Sequence, residues 1–91
     1  MTQVTRQKFD NLVPAQQVGI LCNDDRFRRF AAIRSGFPGD DFTQTAAAEY
    51  VRQVCRVESR KQLNSDWNAL NRFNQLRTEF DAWLGKISTH R

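Results

Sequence analysis

The chain has 91 residues, 40% of them apolar and 26% charged, with a net charge of +4 and seven Phe, two Trp and one Tyr. A composition of this kind belongs to one small folded domain with a thin core, and it excludes a disordered tail. No apolar run approaches the ~18 residues of a membrane span, and the N-terminus lacks the charged-then-apolar layout of a secretory signal, so the expected location is the cytoplasm, with no membrane partner.

Residues 1–13 mix Val4, Phe9, Leu12 and Val13 with polar residues in no clean period and read as a flexible N-terminal arm, leaving 14–91 as a single helical domain. Pro14 suits the first position of a helix, where its missing donor would be unpaired anyway, and Val18, Ile20, Leu21 and Cys22 follow as an apolar patch. Asn23, Asp24 and Asp25 are cap residues. After them Phe27, Phe30, Ala31 and Ile33 or Arg34 resume helical spacing, stopping at Ser35 and at Gly36, which fits a left-handed cap.

Pro38 and Gly39 match the centre of a type II turn, bracketed by Phe37 and Phe42, which either pin the loop to the core or present it to a partner. Thr43 or Thr45 caps the next helix, with Ala47, Tyr50 or Val51, Val54 and Cys55 inward and Glu49, Arg52, Gln53 and Arg56 outward. Ser59 and Gln62 have the spacing of a capping box, which opens a short helix carrying Leu63 inward. Asn64, Ser65 and Asp66 then cap the longest element, an amphipathic helix to Ile87 with Trp67, Leu70, Phe73, Leu76, Phe80, Trp83, Leu84 and Ile87 at intervals of three and four. Gly85 weakens its last turn, and Ser88 to Arg91 are expected to fray. The expected fold is all-α, a compact bundle of four to five helices closed by the long C-terminal one.

Enzymatic chemistry has no visible carrier. His90 is the single histidine and lies at the chain end, where nothing orients it. Cys22 and Cys55 stand 33 apart among apolar neighbours and read as buried free thiols, neither a disulfide nor metal ligands. Asp24-Asp25 and Asp40-Asp41 read as caps and loop residues, and the glycines do not form a phosphate-cradling loop. No cofactor and no metal is expected.

The charge is carried by eleven Arg against three Lys. Arginine is the residue of bidentate phosphate and carboxylate contacts, so the partner classes are nucleic acid or an acidic protein face. Two constellations could serve them. Arg26, Arg28, Arg29 and Arg34 crowd one helix. Arg52, Arg56 and Arg60 are spaced by four and, on a helix running through Glu58, would stack in one row with Lys61 beside it. The alternative is a solvated face offset by Glu49 and Glu58 through weak pairings. The stretch from Thr45 to Leu63 also suits a helix-turn-helix in part, with Arg60, Lys61 and Asn64 offered to base edges, although Asn64-Ser65-Asp66 ends its second helix early.

The segment Ala47 to Leu63, followed by Ala69, Phe73, Leu76, Phe80 and Trp83, with Leu21-Cys22 and Arg26-Phe27 upstream, resembles small accessory proteins encoded by bacteriophages and prophages. The resemblance covers about residues 18 to 84 and transfers no site residues. It implies a role near recombination, nuclease control or counter-defence. The leading expectation is therefore a non-enzymatic protein that occludes nucleic acid, or a host nucleoprotein or nuclease complex such as a CRISPR surveillance complex, through its arginine faces. Two alternatives stay open: a small DNA-binding repressor, and a structural protein whose C-terminal helix closes a homodimer or docks on a larger partner.

Overall fold

The computed structural model describes residues 12–36 and 42–87, and among these the chain is all-α: four α-helices and one 3₁₀ helix. The expected arm up to residue 11, the Pro38-Gly39 turn, Asp40-Asp41, His90 and the fraying end lie outside the described residues. So does the side chain of Ile87.

Helix α1 (Pro14–Asn23) begins on its proline, as the missing N–H allows. Its flanking residue, Val13, offers no side-chain cap. Asn64 supplies one from elsewhere in the fold, its Oδ1 accepting the Ala15 amide at 3.1 Å. Ala15, Val18, Leu21 and Cys22 recur at three and four and are buried. Ile20 falls on the opposite side of the helix, about 200° from Val18, and is left 47% exposed instead of joining the apolar patch.

A single residue turns the corner to helix α2 (Asp25–Arg34). Asp24 ends α1 and caps α2, its carboxylate accepting the Arg26 amide at 2.8 Å. Helix α2 buries Phe27, Phe30, Ala31 and Ala32, leaves Ile33 exposed, and ends at Ser35 and Gly36, the latter at φ 74° in the left-handed region that glycine enters without penalty.

Helix α3 (Gln44–Cys55) is capped by Thr43, whose hydroxyl accepts the Ala46 amide at 3.0 Å. It buries Ala47, Tyr50, Val51 and Cys55. Its end is decided by Arg56, which adopts φ 61° and so lets the Val57 amide reach back to the Arg52 carbonyl at 3.0 Å. Val57 tucks into the core beneath this reversal. The Ser59–Gln62 capping box forms, but the element it opens is a 3₁₀ helix, Arg60–Asn64, carrying Leu63 inward at 1% exposure.

Helix α4 (Trp67–Ile87) starts on Asp66, which accepts the Ala69 amide at 3.1 Å. Its stripe of Ala69, Phe73, Leu76 and Phe80 is buried, with Leu70, Trp83 and Leu84 packed half-covered against the same core. Trp67 breaks the expectation: at 71% exposure it lies outside that core. The α2–α4 contact is aromatic, Phe80 meeting Phe27 edge-on at 5.1 Å and Phe30 at 5.3 Å, while Trp83 closes over Phe30 at 5.6 Å. Helix α1 packs against α2, α3 and the 3₁₀ helix, while α4 lies across α2, α3 and the 3₁₀ helix. Gln17 is the buried polar residue of this core; its amide donates to the Leu12 carbonyl at 3.0 Å and its Oε1 accepts from Arg77 at 3.3 Å.

Candidate binding surface

The two arginine constellations do not survive folding as single faces. On α2, Arg26 is held by Asp24 through two contacts, at 3.0 and 3.2 Å, and Arg28 pairs with Asp25 while donating to the Cys22 carbonyl at 3.0 Å. Burial alone would raise the Asp24 pKa, but the hydrogen bonds and charge of Arg26 outweigh it and hold the carboxyl below its usual range. Arg34 meets Glu79 on α4 at 3.0 Å and lies over the Phe30 ring at 4.8 Å, a position that ties α2 to α4. Arg29 is exposed and has no ion pair among the described residues. Three of these four cations are thus matched to local acids.

The expected row of Arg52, Arg56 and Arg60 is also broken. A helix continued through Glu58 would stack them, but α3 stops at Cys55 and the left-handed Arg56 redirects the chain. Arg52 remains on α3, paired with Glu49 at 2.6 Å, and that hydrogen bond together with the Arg52 charge holds the Glu49 carboxyl below its usual range. Arg60 is carried away to α1. Arg56, Arg60 and Lys61 are all exposed on the connection between α3 and α4, and among the described residues none of them has a carboxylate partner. Glu58 and Asp66 are the acids in that connection, and Asp66 is engaged in capping α4.

The helix-turn-helix geometry is absent as well. Residues 60–64 form a 3₁₀ helix too short to read a groove, and the Asn64 side chain is committed to capping α1.

What the fold brings together instead is Arg60 and Gly19. A Cβ built at Gly19 would come within 3.1 Å of Arg60 Nη1, so the bare helix surface is the seat of the guanidinium. Glycine inside a helix costs about 0.5–1 kcal/mol relative to alanine, and here it gives room for that flat group. Beside the seat runs an open groove of about 650 Å³ between α1 and the start of α3. Ile20 and Ala48 contribute apolar surface, and Gln16, Gln44 and Thr45 contribute polar groups. Among the described residues no acid lines it. Cys22 also borders the groove; burial pushes its thiol pKa up, opposed by the charges of Arg60, Arg52 and Arg28. Smaller hollows lie beneath Trp67 and between α3 and α4.

Gly19 and the groove were not anticipated from the residues. A glycine interrupting a helical pattern is the signal that could have marked them. Among the described residues no group of three or more His, Cys, Asp or Glu could hold a metal ion, no helix is long and apolar enough to cross a membrane, and both cysteines are free and buried. Compared with known protein families, characterised proteins and solved structures, the chain matches none of them.

Proposed function

We propose that this chain is a non-enzymatic binding domain that engages an anionic partner and acts by occluding its surface. The observation that carries this reading is the set of three exposed cations, Arg56, Arg60 and Lys61, gathered on one short connection with no carboxylate partner among the described residues. Exposed pairs such as Arg26 with Asp24 contribute little and compete poorly for a new partner, whereas cations without a local acid keep their full charge available. The resemblance to phage accessory proteins supports a host nucleoprotein or nuclease complex as the partner, with nucleic acid itself the other anionic candidate.

Retention on an immobilised polyanion across a salt series tests the reading. The variant carrying Arg56→Glu, Arg60→Glu and Lys61→Glu should elute at markedly lower salt than the unmodified chain, while Arg26→Glu with Arg28→Glu should cause a smaller change. Equal elution of all three proteins would sink it.

A further inference from the structure

The groove beside Arg60 has a chemistry of its own, and its occupant can be argued from charge and shape. Resting on the anionic-partner reading, we infer that the groove between α1 and the start of α3 is a docking site for an extended segment of a partner protein in which a carboxylate side chain is flanked by apolar ones. The carboxylate pairs with Arg60 on its Gly19 seat, and the apolar neighbours cover Ile20 and Ala48.

Three observations favour an acidic peptide. Among the described residues Arg60 is the single charged residue on the groove wall, and no described acid opposes it there. A nucleic-acid strand presents one phosphate per nucleotide and is matched by repeated cations along its track, which this wall does not supply. Ile20, at 47% exposure, offers apolar surface that a peptide side chain covers and a phosphodiester backbone does not. The amides of Gln16 and Gln44 and the hydroxyl of Thr45 border the same space and can bond the backbone of an extended segment. Because the groove is open to solvent, it covers one side of a chain segment; enclosed pockets, by contrast, surround most of a small ligand.

The assignment of Arg60 as the anchor also explains Gly19. Alanine at that position would press on Nη1 and shift the guanidinium by a few tenths of an ångström or more, moving the anchor while leaving the helix intact.

Selection from a displayed library of random peptides against the full chain tests the inference, with backbone amide shifts read by NMR for the enriched sequences. Enriched peptides should share an Asp or Glu between aliphatic or aromatic residues and should shift the amides of Gly19, Ile20, Gln44 and Thr45. Replacing the peptide acid by its amide, or Arg60→Gln in the protein, should weaken binding by more than about tenfold, and Gly19→Ala by a smaller factor, with unchanged circular dichroism. Failure to enrich any peptide, enrichment without an acid, equal binding to Arg60→Gln, or shifts on another face would overturn it. So would displacement of the peptide from these same amides by single-stranded oligothymidylate. If the peptide arm fails while the triple charge reversal still lowers polyanion retention, the groove assignment falls and the broader reading stands. Peptides seated in the groove of a chain whose retention ignores the triple reversal would leave the groove and remove the Arg56–Lys61 face.

Discussion

Asn64 caps the first helix from a position 49 residues further along the chain, its Oδ1 accepting the Ala15 amide at 3.1 Å. Because Val13 offers no cap of its own, this bond is the side-chain satisfaction of the α1 terminus, and it also fixes the 3₁₀ helix against α1. Asn64→Ala should therefore lower stability by about 1 kcal/mol, a fall in melting temperature of roughly 4–8 °C for a domain of this size. Asn64→Asp keeps the acceptor and should come close to neutral. Thermal melts followed by circular dichroism decide it, and an unchanged midpoint for the alanine variant would remove the cap.

Arg56 occupies the left-handed conformation at φ 61°, which costs a residue with a Cβ about 1 kcal/mol relative to glycine. Arg56→Gly should raise stability by about that amount in urea unfolding while reducing retention on a polyanion. Opposite signs for stability and binding are the expected signature of a charged residue held where glycine fits better. A loss of stability would instead mean that the Arg56 side chain supports the fold.

The two tryptophans should report different environments. Trp67 is 71% exposed and Trp83 packs against Phe30 and Phe80. The Trp83→Phe variant, which retains Trp67, should emit at solvent-like wavelength, and the Trp67→Phe variant at shorter wavelength. Trp67→Ala should cost under about 0.5 kcal/mol, whereas Phe73→Ala, at a fully buried site, should cost about 3–5 kcal/mol. A concentration-dependent blue shift from Trp67 would favour a homodimer seated on that residue, one form of the assembly alternative.

Cys55 is fully buried, and burial pushes its thiol up to about 11 from an ordinary value of 9.0. The folded state therefore holds its proton where the unfolded state has released it. Stability from this group is complete below pH 9 and declines by roughly 2–3 kcal/mol as pH rises to 11. Urea midpoints measured across that window should fall more steeply for the unmodified chain than for Cys55→Ala. Parallel slopes would show that the thiol does not ionise on unfolding.

Much of the architecture was legible in the residues because it rests on local rules. Pro14 starts its helix through its missing N–H, Asp24, Thr43 and the Ser59–Gln62 pair start theirs through bonds that span at most three residues, Gly36 ends one through its own φ, and the Phe73–Leu76–Phe80 stripe follows from 3.6 residues per turn. The same rules misjudged Trp67, which has the right spacing for the stripe but sits on the first turn of α4 outside the packed core.

The arrangement of the charged surface was decided largely by tertiary structure. Spacing by four makes a row of Arg52, Arg56 and Arg60 only while one helix continues, and the left-handed Arg56 ends that helix. Asp24, Asp25 and Glu49 pair with arginines two or three positions away, whereas Glu79 is brought to Arg34 from another helix. Gly19 and Arg60 stand 41 positions apart, and nothing local to either one announces the other; their meeting exists because the 3₁₀ helix packs along α1. Helices and most of their caps were thus written in neighbouring residues, since hydrogen bonds and periodicity act over a few positions, while the groove and its Arg60 came from long-range packing that no periodicity encodes.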